Sequence, residues 1–333
     1  MATLSSNAAT LADVAKSLDP DGKTADIVEL LSQNNAILED AMWKEGNLPT
    51  GNRTTVRDSL PTPTWRKLGE GVTPTKSTTS QIDDQAAILE DWSEVDIDLA
   101  MLNGNTASFR LNEARAHLEG MGQESAQTML YGNGSTNPEE YTGFATRYDD
   151  LSANNAQQIV DGGGTGSDNS SVWLIAWGDN TVCGIYPKGS IAGLKHEDLG
   201  KQVVQDATGL ATARLHVFQD KFQWKQGIAI KDQRYVSRIA NVDISDLSGV
   251  SSAADLSNLM ARSTYRLPNL ATGKPCFYMN RTCMQMLDIL NRNDVISGGG
   301  LTFDNVDGKR VVTFRGIPVK GVDQLTETEA RVT

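Results

Sequence analysis

Long apolar runs are missing from this chain. No stretch approaches the ~20 residues that a membrane-crossing helix needs, so a helical membrane protein is excluded. Cysteine is scarce, and the three residues Cys183, Cys276 and Cys283 show neither metal-ligand nor redox spacing. They read as reduced thiols in a cytosol. Histidine is equally rare. His117, His196 and His216 are scattered, with no His-x-x-x-His pair for zinc. No Gly-x-Ser-x-Gly elbow is present. The glycine run between Asp161 and Asp168 lacks the Gly-Lys-Ser/Thr of a phosphate loop. Positive surplus is absent too: the formal net charge is -12, which repels nucleic acid and excludes sequence-specific DNA binding. The segment Met1 to Leu18 carries only Lys16 as a cation and is no secretory signal. Asp243 with Asp246, and Asp304 with Asp307, lack the remainder of a calcium loop. The pairs Glu139-Glu140 and Asp149-Asp150 read as acidic surface. No internal repeat is visible, and nothing argues for catalysis, a cofactor or a metal.

What is present begins with one long helix, predicted over Thr106 to Tyr131. Ala107, Leu111, Ala114, Leu118 and Met121 recur at spacings of four and three, an apolar stripe. Asn103-Gly104-Asn105 is a turn before it, with Asn105 or Thr106 as cap. Tyr131-Gly132-Asn133-Gly134 stops it. Gly120 and Gly122 inside the helix each cost roughly 1 kcal/mol relative to alanine; they imply a slight kink or the close approach of another backbone.

Ahead of the helix the chain is not built to close on itself. Residues 1–50 read as an arm with two amphipathic segments, one over Leu11, Val14, Ala15 and Leu18, another from Ile27 to Met42. The second needs another part of the fold, or another subunit, to cover it. Residues 51–98 read as an extended two-armed β-loop. Pro61-Thr62-Pro63-Thr64-Trp65 forbids helix, and a loop this long inside a compact domain is usually functional. Its charge is segregated. Arg53, Arg57, Arg66, Lys67 and Lys76 oppose only Asp58 and Glu70, a net of +3. Asp83, Asp84, Glu90, Asp91, Glu94, Asp96 and Asp98 follow with no cation among them. The two signs can pair within the loop or, head to tail, with the next copy. These ten residues, Arg53 to Lys76 and Asp83 to Glu94, are the candidate inter-subunit contacts. Val95 to Leu99 alternates as a half-buried strand does.

After Phe144 a strand-rich block runs from 171 to 240. Ser171–Trp177 and Thr181–Tyr186 flank Gly178-Asp179-Asn180, which predicts a hairpin. Residues 251–325 alternate helix and strand. A helix with Leu256, Leu259, Met260 and Ser263 on one face is followed by the strand Cys276–Met279. Asn280 caps a second helix burying Cys283, Met286, Leu287 and Leu290. A flexible loop at Ser297–Gly300 leads to a hairpin turning at Val306–Lys309, and Gly316-Ile317-Pro318-Val319 closes on Asp323.

The order of arm, β-loop, acidic strand and long helix resembles the major capsid proteins of tailed double-stranded DNA bacteriophages, the Hong Kong 97-type α+β fold. Cys276 to Arg281 is similar to that family's strand, "Met-Asn", helix junction. Phe314 to Val319 with Asp323 is similar to its late "Gly-x-Pro-Val … Asp" strand, and Tyr131 to Phe144 to its exit from the long helix. The resemblance implies an N-terminal arm (1–50), an extended E-loop (51–98), a peripheral P-domain (99–242) with its spine helix at 106–131, and an axial A-domain (243–333). It implies a coat protein that self-assembles into pentamers and hexamers of an icosahedral head around packaged DNA, in the host cytoplasm before assembly and in the virion after. Expected partners are other copies of itself, a separate scaffolding protein, a portal, and a cement or decoration protein, with no membrane. In the family, further P-domain strands follow the "Gly-x-Pro-Val" strand; here they do not, so residues 171–240 are expected to complete that sheet. Lys67 and Lys76 lie in the loop, but no partner Asn or catalytic Glu matches, so covalent cross-linking is not carried over. The rival expectation is an α+β enzyme or ligand-binding protein with its site in the basic block 201–238.

Overall fold

The chain changes direction where glycine, proline and asparagine cluster, and regular elements fill the intervals. The computed structural model describes residues 32–101, 106–205, 214–247, 256–293, 301–306 and 309–333. The arm segments Leu11–Leu18 and Ile27–Leu31, the turn at 103–105, the loop at 297–300 and the turn residues Asp307 and Gly308 lie outside that set. In order, the chain forms α1 (Ala36–Asp40), β1 (Trp43–Glu45), β2 (Gly51–Ser59), β3 (Thr78–Asp96), α2 (Ile97–Met101), α3 (Thr106–Tyr131) and α4 (Phe144–Arg147). Then come β4 (Ile159–Asp161), β5 (Asn169–Trp177), β6 (Val182–Tyr186), β7 (Leu194–Gln205), β8 (Arg214–Ile230), β9 (Val236–Asp243) and α5 (Ile244–Leu247). Finally α6 (Leu256–Thr264), β10 (Lys274–Met279), α7 (Arg281–Asn293), β11 (Leu301–Val306), β12 (Lys309–Phe314) and β13 (Ile317–Gly321) complete it.

β5 sits at the centre, and all its residues are buried. Successive side chains of a strand point to opposite faces, so it feeds two cores. Trp173, Ile175 and Trp177 join Met129, Leu130, Phe144 and Tyr148. Val172, Leu174 and Ala176 join Leu256, Leu259, Met260, Cys283 and Leu287. This two-sided burial explains the uninterrupted apolar run. It also explains why the predicted 171–186 hairpin does not form. Both edges of β5 are taken, by β9 and β10, each antiparallel. β6 therefore meets β5 only at Trp177↔Val182, in parallel, and ladders with β8 and β1 instead.

The long helix has its predicted limits but not its predicted face. Leu111 and Leu118 are exposed, while Phe109, Met121, Ser125, Ala126, Met129 and Leu130 are buried. Ser125 is the reason the pattern misleads. A polar residue goes inside because its hydroxyl donates to Gln226 Oε1 at 2.7 Å. Gly120 and Gly122 have open space where a side chain would stand, so none of the described residues brings a second backbone close to them. At the start of the helix Phe109 packs with Val95 and Ala100. The alternating segment Val95–Leu99 ends as strand at Asp96, whose carboxylate accepts the Asp98 N–H at 2.9 Å and starts α2.

The arm's described end folds onto its own body. Ile37 is in the core with Val322 and Leu325, Asn34 O accepts the Asp323 N–H at 3.0 Å, and Tyr278 Oη donates to Asp40 at 2.8 Å. In the last third, α6 buries Leu256, Leu259, Met260 and Ser263. Asn280 Oδ1 accepts the Cys283 N–H at 2.7 Å, capping α7. β13 runs parallel to β10 and antiparallel to β12, which pairs with β11.

Strands 171–240 divide between two ladders. β8, with β7 beside it, pairs with β3, whereas β5 and β9 join β10. Hydrogen bonding is continuous across residue 242, since β9 bonds β5 and β5 bonds β10. Trp173 and Trp177 share their core with Met129 and Leu130 of α3 and with Cys276 and Tyr278 of β10.

One buried ion pair ties the tail to this centre. Arg238 Nη2 lies 2.8 Å from Glu329 Oε2, both almost wholly buried. Tyr131 Oη donates to Glu329 Oε1 at 2.6 Å, and the Ser171 hydroxyl donates to Oε2. Arg238 also donates to the Tyr148 carbonyl at 2.7 Å and lies over the Trp173 ring at 5.1 Å. Removing one partner strands a buried charge. Arg238→Met and Glu329→Leu should each cost about 3–5 kcal/mol, whereas the double change should cost less than either single one. Equilibrium urea unfolding of the three variants measures this; a double variant weaker than both singles contradicts it.

Candidate functional site

The β2–β3 excursion is extended because its composition allows little else. Threonine favours strand, and Pro61, Pro63 and Pro74 remove helix from the tip. The arms pair antiparallel from Gly51↔Gln85 to Ser59↔Thr78. Residues 60–77 form the exposed turn between them, with Leu60, Trp65, Leu68 and Val72 uncovered and Trp65 and Leu68 fully so. Single exposed apolar residues are ordinary, but here four lie within one 18-residue turn.

The charge pattern resolves into two parts. Arg53 and Asp83 are cross-strand partners joined by a bidentate pair, 2.6 Å at each contact. Asp58 accepts from Ser80 at 2.8 Å. Asp84 is buried beside Arg147 at 2.7 Å. Burial raises its carboxyl above the ordinary range, with Arg147 opposing. Glu90 accepts from Lys221 at 3.0 Å, Gln223 at 2.6 Å and Trp92 at 2.8 Å; the Lys221 hydrogen bond foremost holds it below the carboxylate range. Asp91 meets His117 Nδ1 at 2.5 Å, and Glu94 accepts from Gln219 at 2.8 Å.

Thus Arg53 and the five acidic candidates are engaged inside their own chain, the first of the two pairings that the sequence left open. The cause is register: β3 lies between cations on β2 and β8. Arg57, Arg66, Lys67 and Lys76 have no ion pair among the described residues, and all four are exposed. Sequence reading found these four. It missed Arg147 and Lys221, which lie on distant segments, and it gave the tip's Trp65 and Leu68 no role.

Below the loop a second cluster braces α3 against the sheet. Arg110 bridges Asp198 and Asp220, each at 2.8 Å. Phe222 is stacked between His117 and His196, with centroids at 6.1 and 4.9 Å. These histidines serve as packing and hydrogen-bonding groups. No set of three or more metal-ligating side chains occurs among the described residues. The cysteines are buried and unpaired, and burial pushes the Cys276 and Cys283 thiols up to about 12, which leaves them inert as nucleophiles.

A family model described as major capsid protein GP7 matches residues 19–333. Among solved structures, the chain is similar to one from bacteriophage Epsilon15, with 31% identity and a TM-score of 0.78, covering 100% of this chain and 99% of that chain. It is also similar to the bacteriophage JBD30 capsid, with 9% identity and a TM-score of 0.47, covering 89% of this chain and 93% of that one. No curated protein matches.

The carboxylates set a pH dependence. Arg53 lowers Asp83, Lys221 lowers Glu90, and Arg110 lowers Asp198. A lowered folded pKa adds stability that is complete above the unfolded value and is lost as pH falls through the folded one. Asp84, raised by burial, works the other way but alone. Thermal melting should therefore drop between about pH 5 and about pH 3, and Arg53→Gln should flatten that drop. Identical slopes for the variant and the parent would contradict the assignment.

Proposed function

The chain belongs to the major capsid protein GP7 family, and from that premise we propose how its parts share the building of a phage head. It is a coat protein of the Hong Kong 97-type fold that associates with its own copies in the icosahedral capsid shell of the virion. The carrying observation is the full-length match at 31% identity.

The proposed division is an arm over residues 1–50, an E-loop over 51–98, a peripheral part over 99–242 with α3 as its spine, and an axial part over 243–333. In this reading, copies pack around five- and six-fold axes through heterologous contacts. The loop of one copy lies over its neighbour, and the free cations Arg57, Arg66, Lys67 and Lys76 meet acidic surface there. The chain's excess of Asp and Glu, 42 against 30 Lys and Arg, supplies that surface. It also lets packaged DNA move without sticking. A scaffolding protein, a portal and a cement protein are the further partners proposed, with the host cytoplasm as the place of assembly. The role is structural, with no catalytic step.

The rival site in block 201–238 loses ground because four of its seven cations are engaged within the chain. Lys221 pairs with Glu90, Lys231 with Asp179, Arg234 with Asp232 and Arg238 with Glu329. Electron microscopy of the purified protein decides between the readings. Megadalton shells support the coat; a small oligomer with a ligand-dependent melting shift overturns it.

Each rim ion pair contributes only ~0–1 kcal/mol, but it recurs at every subunit. Reversing Arg57, Arg66, Lys67 and Lys76 to Glu should leave the melting temperature within about 2 °C, since surface changes stay near ±0.5 kcal/mol. It should abolish shells on size exclusion and in micrographs. Normal particles would refute the loop's role.

A further inference from the structure

A groove of about 190 Å³ opens between β3 and the C-terminal half of α3. Its floor includes Ile88 and Leu89, and its rim carries Glu124, Glu139 and Glu140. No cation lines it. Ile88 is 58% exposed, and Glu124 and Glu139 are exposed. The three carboxylates around this apolar floor face no cation among the described residues. The groove is therefore incomplete in two ways: in apolar cover and in positive charge.

The chain carries the complement elsewhere. Trp65-Arg66-Lys67-Leu68 at the loop tip places two cations between two fully exposed apolar side chains. The tip cannot fill its own groove. From Thr78 to Ala87 the strand advances nine residues at ~3.3 Å each, so roughly 30 Å of paired arm separates them. We propose that the groove at Ile88, Glu124, Glu139 and Glu140 receives the loop tip, residues 65–68, of a second copy of this chain. Arg66 and Lys67 answer the glutamates, and Trp65 and Leu68 cover Ile88 and Leu89. The contact is heterologous, tip to groove, so it propagates around a ring rather than closing a dimer.

This rests on the reading that the loop contacts a neighbouring subunit, and the test separates the two. Arg66→Glu with Lys67→Glu should lower shell yield at least tenfold, with the circular dichroism melt unchanged. Adding Glu124→Lys, Glu139→Lys and Glu140→Lys should restore yield to within twofold of the parent. Full yield from the tip variant alone sinks both the loop reading and the groove. Loss without restoration sinks the groove and leaves the loop reading standing. Independently, cysteine is placed at 65, 66, 67 or 68 in turn, together with Ile88→Cys, and shells are oxidised. The native cysteines are buried and do not compete. Covalent multimers of this chain on a non-reducing gel support the assignment. Monomer at all four positions, or a cross-link from position 88 to a different virion protein, overturns it.

Discussion

One strand, β3, bears the reach of the molecule. Its first half, up to Gln85, pairs only with β2, and the outer end of that half stands out in solvent; from Ala86 to Asp96 it is bonded to β8 in the body. An isolated two-stranded hairpin is marginal in water, so the outer half persists because the inner half is anchored. The changeover is crowded. A side chain at Gly51 would meet Asp84 O at 2.0 Å, and one at Gly227 would meet Gln85 O at 2.5 Å. Only glycine lets both partner strands close on β3 at the same corner. Asp84, buried there, meets Arg147 at 2.7 Å and so ties the corner to α4. Stiffness of the limb, and hence where its tip can be placed, follows from this joint.

Electrostatics then separates what a subunit uses for itself from what it offers. Four acids of β3, Asp83, Asp84, Asp91 and Glu90, are engaged by Arg53, Arg147, His117 and Lys221 in turn. The four exposed cations beyond them are not, although the chain as a whole carries a net charge of -12. A positive limb on a negative body repels nothing it needs to meet and attracts every other copy. Steering of this kind raises the encounter rate and weakens with salt.

Much of this was legible in the sequence where the signal is local. The limits of α3 followed from Gly132 and Gly134, the Asn280 cap from its position before an apolar run, and the extended loop from threonine and proline. The family resemblance rested on such local motifs in order, and it held. The failures are long-range. Ser125 reads as polar until Gln226, 101 residues away, is seen to accept its proton. The 171–186 hairpin had the right turn residues, but pairing is settled by which edges are already taken, and β9 and β10 are far along the chain. Arg110 with Asp220 and Arg238 with Glu329 are separated by 110 and 91 residues, and no spacing rule spans such gaps. For the candidate site, the free cations were readable because nothing long-range touches them. The partners of the acids were not readable, because apart from Arg53 on β2 they come from α3, α4 and β8.

The exposed tip also poses a solubility problem, and its composition suggests how the problem is contained. Trp65 and Leu68 are separated by two cations, so the apolar area is broken and an unassembled subunit is not simply sticky. A single Leu buried at a joint contributes about 1.5–3 kcal/mol, and a rim ion pair ~0–1 kcal/mol. The proposed joint has two apolar side chains and two cations, at most about 8 kcal/mol, and the freedom lost on association takes back about 4 kcal/mol or more. At most several hundredfold in equilibrium constant is left, since 1.4 kcal/mol is tenfold. A misplaced subunit held by one such joint therefore leaves readily. In the contact proposed above, a subunit seated in a ring holds two, one through its tip and one through its groove, and their free energies combine. Weakness per contact is what allows errors to dissolve before the shell closes, and closure is what makes the sum large.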